Sequence, residues 1–415
     1  MFDRMNRRAG ALAVVAACAL PAGALHAAGL SYAEAQALAR DNAPLLRQQQ
    51  AQLSGSNAAR SGVERLPDPR LALGIEYLPI AGADRFSTTR DGATMQRLAL
   101  AQEVPNRAKR EARAATAEAR IERDRAQLVA TRVAVQRDAA LAWLELYHAE
   151  RRAALLAAFR SENRLLQATL GARIAAASAM PADLTLARQE ALALDDRADE
   201  LARVAAKARA ELRRWIGARA AEPLAGEPLL PEVNAAELQA RLAAAPALRV
   251  YEPLRAVAAA EMAEMEAEKR GDWSWELAYS RRPKYDDMVS VVVSFDLPWQ
   301  RALRQEPQVQ ARRHEMQRIE AERDDAAARL ATEAEAMLAE LRALDATRER
   351  LAGAGVQLAA ERVALATAGY QAARSDLGPV LAARAAALEA RMKLVELDAA
   401  RAALRVRLAA LAAQE

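Results

Sequence analysis

The feature that limits this chain most is the length of its helical patterning. Leu330, Met337, Leu344, Leu351, Leu358 and Leu365 recur every seven residues, as do Leu397, Leu404 and Leu411, with Arg and Glu between them. A seven-residue apolar repeat drives helices to pack side by side, as in coiled coils. Helical patterning covers about 106–172 and 299–371. At 1.5 Å per residue each stretch spans roughly 100 Å, much more than a compact domain of this size. An ordinary amphipathic helix in a bundle would explain the seam but not these lengths. Stretches at about 31–66, 181–217, 234–269 and 379–413 are each roughly half as long. Two of them end to end match one long helix, which predicts a tall wall of antiparallel helices.

The pattern occurs twice. Ala33-Glu34-Ala35-Gln36 followed by Ala43-Pro44-Leu45-Leu46-Arg47 returns as Ala236-Glu237-Leu238-Gln239 and Ala245-Pro246-Ala247-Leu248-Arg249. Gln102-Glu103-Val104-Pro105 returns as Phe295-Asp296-Leu297-Pro298, and Ser178 and Ser375 sit in matching helix-breaking segments. Such self-similarity predicts two units, 29–217 and 234–415, each a helix, two strands, a long helix and a last helix. A Pro-rich connector at 218–233 separates them.

The short strands carry a second signal. Leu71, Leu73, Ile75 and Tyr77 alternate with Ala72, Gly74 and Glu76. Trp273, Trp275, Leu277 and Tyr279 alternate with Ser274, Glu276, Ala278 and Ser280; Val289, Val291, Val293, Phe295 and Leu297 follow the same rule. A fourth strand near Met95–Val104 is less regular. Alternation of this kind fits a sheet with one face on a soluble core. Three of the five Trp (Trp273, Trp275, Trp299), however, fall in this one region. With Tyr77, Tyr279 and Phe295 they form the aromatic girdle expected of an outward-apolar membrane barrel. Four strands cannot close such a barrel, and lipid tolerates no open edge. Several copies must then share one barrel; two would supply about eight strands and three about twelve.

Composition removes other classes. Of 415 residues, 53% are hydrophobic but only 4% aromatic, and the net charge is +4. No basic stripe interleaved with aromatics is present, so nucleic acid is not an expected partner. The only Cys is Cys18, and the three His are His26, His148 and His314. These exclude a disulfide framework, a Cys/His zinc site and a Cys nucleophile from the mature chain. Asp195-Asp196 and Asp324-Asp325 lie amid Arg on helical segments and read as solvated faces, and Met262 and Met265 read as packing. No catalytic, cofactor or metal site is expected. Arg4, Arg7 and Arg8 precede the apolar run Ala9–Leu20 and small residues through Ala28, the order of a secretory signal peptide over 1–28. Val15-Ala16-Ala17-Cys18 also has the look of a lipidation site at Cys18. No later segment is apolar enough to cross a bilayer as a helix, so any crossing must use strands.

The duplicated helix–strand–strand–helix–helix order resembles the TolC family of outer-membrane efflux ducts over essentially the whole mature chain. Leu66-Pro67-Asp68-Pro69-Arg70 leads into the first strand, and Gln102-Glu103-Val104-Pro105-Asn106-Arg107-Ala108-Lys109-Arg110 leaves the second. Both are most similar to the branch serving heavy-metal pumps of the resistance–nodulation–division type. The resemblance implies a mainly α fold with a small β part: a helical barrel crossing the periplasm under a twelve-stranded barrel in the outer membrane, built by a homotrimer. It also implies a periplasmic adaptor and an inner-membrane pump as partners, with no chemistry by the duct itself. In that family contacts between the two helix-turn-helix tips close the periplasmic end. Asp183 and Arg188 in the first tip, with Tyr370 in the second, match residue types used there, and Asp376 lies close by. Pro379 and Ala382 stand where the family often has acidic residues ringing the aperture. Two other classes are weaker. A periplasmic adaptor has one helical hairpin between β-rich domains, and a secreted coiled coil has no use for Trp-rich strands. Drug efflux or type I secretion are the other cargo classes.

Overall fold

The structure, a computed structural model, describes residues 29–413. The expected signal peptide at 1–28, with Cys18, lies outside the described residues. The first half runs β1 (Leu30–Ser31), α1 (Tyr32–Asn42), α2 (Pro44–Val63), β2 (Arg70–Glu76), β3 (Met95–Val104), α3 (Arg107–Ala175) and α4 (Pro181–Ile216). After β4 (Leu224–Ala225) come α5 (Ala235–Leu242), α6 (Pro246–Arg249), α7 (Tyr251–Ala267), β5 (Trp273–Arg281), β6 (Met288–Phe295), α8 (Arg301–Arg350), α9 (Val356–Gln371) and α10 (Leu377–Leu411).

Local chemistry sets these boundaries. Ser31 caps α1 through a capping box: its hydroxyl accepts from the Glu34 N–H at 3.3 Å, and the Glu34 carboxylate accepts from the Ser31 N–H at 2.9 Å. The helical stretches read as single pieces at 31–66 and 234–269 are in fact interrupted. Pro44 and Pro246 each open a new helix, because proline lacks an N–H and clashes with the preceding turn. Asn106 caps α3 by accepting from the Lys109 N–H at 2.9 Å.

With 69 residues, α3 is about 100 Å long. One half of α3 packs on α2 and α7, and the other on α4 and α10. Arg113–Glu264 at 2.8 Å and Arg209–Glu150 at 2.6 Å mark these two levels. A chain this tall cannot have one central core. The largest apolar cluster surrounds Trp143 at mid-height, where Tyr32 packs edge-on, Tyr147 stacks and the indole N–H donates to the Leu30 carbonyl at 3.0 Å. Smaller clusters follow along the helices, the last at the tips around Leu170, Ala187, Leu377 and Val380.

The seven-residue seam of the second long stretch does not stay buried. A π-helical insertion, Leu351–Gly355, joins α8 to α9. One extra residue rotates all that follows by about 100°. Met337 is accordingly buried before the insertion, whereas Leu358 and Leu365 after it are 61% and 76% exposed. No residue of α9 is buried in the chain.

Candidate functional site

Two regions carry the site residues expected from the sequence: the sheet and the helix tips. The sheet is an antiparallel meander in the order β2-β3-β5-β6. Register puts Leu73 opposite Leu98, Leu98 opposite Tyr279, and Tyr279 opposite Val289. Leu71, Leu100, Leu277 and Val291 form the next row of the same face. That face has nothing over it: Leu73 is 79% exposed and Val291 70%. The opposite face carries charge. Arg97 bridges Glu76, at 2.8 Å, and Glu276, and Arg70 pairs with Glu103 at 3.1 Å. Alternation has therefore sorted side chains into an apolar outer face and an ion-paired inner one.

The expected girdle residues sit at both ends of the strands. At the helix end Trp273 faces Phe295 across the ladder, and Trp275 follows on the same face. Trp299 lies beyond β6 in the segment leading to α8 and is 86% exposed. At the far end Tyr279 donates a hydrogen bond to Asp287, and Tyr77, just after β2, has a positive φ of 54°. The far end also has exposed Phe86 and Tyr285, which the sequence reading missed because they lie in loops without alternation. Within the chain β2 and β6 each pair on one side only. Among the described residues no helix is long and apolar enough to cross a membrane.

At the other end, α3 turns into α4 and α9 into α10. Both turns have the same backbone. Ala177 and Ala373 adopt positive φ of 54° and 55°. The Ser178 N–H reaches the Arg173 carbonyl at 2.7 Å, and the Arg374 N–H reaches that of Gly369 at 2.9 Å. These are Schellman terminations with alanine where glycine is usual. The turns bring Tyr370 and Asp183 together: the phenol donates to the carboxylate at 3.0 Å. Arg173 lies over the Tyr370 ring at 5.3 Å. Burial, then the Asp183 carboxylate, raise the Tyr370 pKa above the usual phenol range.

The other two expected tip residues do not join this contact. Arg188 is exposed on α4, and Asp376 is exposed at the start of α10 without a capping hydrogen bond. A neighbouring network went unread. Asn163, buried in α3, donates to the Ala187 carbonyl at 3.0 Å and to Glu190 at 2.6 Å. Arg384 reaches Glu162 at 3.4 Å and Glu190 at 3.7 Å, neither with hydrogen-bond alignment. Arg384 is the eighth residue of α10, as Arg188 is of α4, so aligning the repeats by helix start would have singled it out. Among the described residues no group of three or more His, Cys, Asp or Glu is placed to hold a metal ion.

No family model matches the chain, and no curated protein matches it in sequence. Solved structures do match. A membrane protein from Pseudomonas aeruginosa aligns over 92% of this chain and 90% of its own, with TM-score 0.78 and 18% identity. The chain has a TolC-like fold. CusC, whose structures concern folding and transmembrane channel formation, aligns over 92% of both chains, with TM-score 0.77 and 13% identity. The outer membrane protein VceC of Vibrio cholerae covers 92% of this chain and 96% of its own, with TM-score 0.74 and 19% identity.

Proposed function

We propose that three copies of this chain form an outer-membrane duct. In this reading it passes heavy-metal cations from an inner-membrane pump and periplasmic adaptor to the exterior. The observation that carries the duct is the sheet: an uncovered apolar face, an ion-paired opposite face and two unsatisfied edges. Lipid against the first, water against the second and neighbouring copies at the edges satisfy all three. The exposed apolar face of α9, with Leu358 and Leu365, supports helix packing between copies below the membrane. Similarity to channel structures supports the same reading. The metal cargo rests on the motifs at 66–70 and 102–110, which resemble the heavy-metal branch. The two units 29–217 and 234–415, joined by 218–233, would place two hairpin tips per chain around the periplasmic end, six in all.

A deletion strain tests both parts. Its membranes should lose an outer-membrane species that resists SDS as an oligomer in the parent. The strain should also become sensitive to copper, silver, cobalt, zinc or cadmium. Sensitivity to drugs alone would overturn the metal cargo but not the duct, and recovery of the parent protein as a soluble periplasmic monomer would overturn the duct.

A further inference from the structure

Midway along the molecule, far from sheet and tips, α3, α10 and the connector before α5 line a half-open cavity of about 170 Å3. His148 and Arg151 of α3 face Asp398, Arg401 and Arg405 of α10, and the exposed Glu227 of the connector also lines the space. His148 is only 5% exposed, and neither ring nitrogen has a hydrogen-bond partner among the described residues. Leaving a buried N–H without an acceptor is unfavourable, and native interiors rarely do so. Burial also pushes its pKa down to about 4, so at neutral pH the ring offers one N–H donor.

The charges around the ring are not balanced. Asp398 accepts from Arg348 at 2.5 Å and from Arg401 at 3.5 Å, and Arg401 also donates to Asp345 at 2.5 Å. Two acids thus occupy two bases. Arg151 stacks on the Tyr147 ring at 5.6 Å, and neither it nor Arg405 pairs with a carboxylate among the described residues. The exposed Arg151, the half-buried Arg405 and a buried imidazole N–H therefore line a space whose carboxylates are the already paired Asp398 and the exposed Glu227.

We infer that this cavity binds a small oxyanion of the phosphate or sulfate class, held by Arg151 and Arg405 and accepting a hydrogen bond from His148. A guanidinium presents paired N–H groups that match the oxygens of such an anion, whereas a cation would meet repulsion here. A lipid headgroup is not the source. His148 lies 41 residues along α3 from Arg107, about 60 Å from the membrane end. The site is also built within one chain, from α3, α10 and the connector. Occupancy would tie α3 to α10 at mid-height, with Glu227 of the connector at the rim.

Equilibrium dialysis of labelled inorganic phosphate against the detergent-solubilised full chain tests the site. One phosphate should bind per chain and be displaced by sulfate. Arg405→Ala and Arg151→Ala should each weaken binding roughly tenfold or more. The exposed Arg407→Ala on the same helix should change it little. His148→Gln, which keeps an N–H donor, should bind better than His148→Leu, a contrast that loss of packing alone would not produce. Absence of binding to the parent, or equal losses in Arg405→Ala and Arg407→Ala, would overturn the site.

Discussion

The sheet and the helix tips sit at opposite ends of the same long helices and are built on opposite principles. In the sheet, a continuous backbone ladder joins four strands, and a whole apolar face depends on its register. At the tips, two turns meet through one phenol–carboxylate hydrogen bond, one cation–π contact and a small apolar cluster. A ladder cannot open without exposing backbone groups to lipid, at several kcal/mol each. A contact made by a few side chains can open at a cost of about 1.5–3 kcal/mol for the charge-assisted bond. In the proposed duct, the sheet would be the permanent boundary and the tips the movable one, and the bonds that make them differ accordingly.

The largest expected effect is on the sheet. Trp275→Asp puts a charge on the uncovered face and should block insertion, at up to about 3 kcal/mol per chain depending on depth. Ser290→Asp is the matched control: Ser290 pairs with Ala278 on the inner face, where the ion pairs of Arg97 already lie. Ser274 would be a poorer control because Glu103 is its cross-strand neighbour. Heat-modifiable mobility of the outer-membrane oligomer is the measurement. Equal tolerance of the two changes would mean that the faces are exchanged.

At the tips the effect should be on opening rather than assembly. Tyr370→Phe combined with Asp183→Ala removes a bond of about 1.5–3 kcal/mol from each chain where it is shielded from water. Over three chains that is enough to shift a closed population substantially towards open. Planar-bilayer conductance should rise while oligomer stability stays as in the parent. The raised Tyr370 pKa sets a direction for pH as well: a group whose folded pKa is raised contributes stability at lower pH that is lost as pH rises through the folded value. Alkaline pH should therefore open the parent but leave the double variant unchanged. Conductance and pH response identical to the parent would put closure elsewhere, for instance on the Arg384–Glu162–Glu190 cluster.

Much of the fold is visible in the sequence because helix length and strand alternation are repetitive signals. Features that depend on one residue or on distant contacts are not. Strand β3 looked irregular because Gln96 and Gln102 interrupt its apolar positions; only pairing with β5 shows that Leu98 and Leu100 belong to the outer face. The π insertion at Leu351–Gly355 left the heptad spelling intact while turning Leu358 and Leu365 away from the chain's own core. Arg384, Glu190 and Asn163 come from three helices whose proximity no local pattern encodes. The tip turns lacked the glycine that usually announces a Schellman end, so only their composition of small residues marked them.

That missing glycine supports the smallest and most local prediction. Ala177 and Ala373 hold left-handed backbone, where a Cβ crowds the following carbonyl at a cost of roughly 1–2 kcal/mol. Glycine removes that strain but enlarges the unfolded ensemble, returning roughly 0.5–1 kcal/mol of the gain. Ala177→Gly and Ala373→Gly should each stabilise their turn by the remaining several tenths to 1 kcal/mol or so. Because each turn belongs to the tip alone, the gain should slow amide exchange at Ser178 and Arg374, whose N–H groups close the two turns. Exchange in β3 and β5 should not change. Faster exchange at Ser178 and Arg374 in the glycine variants would show that the alanines hold these turns in place rather than strain them. The tips would then be stiffer than their few contacts indicate, and the contrast with the sheet would weaken.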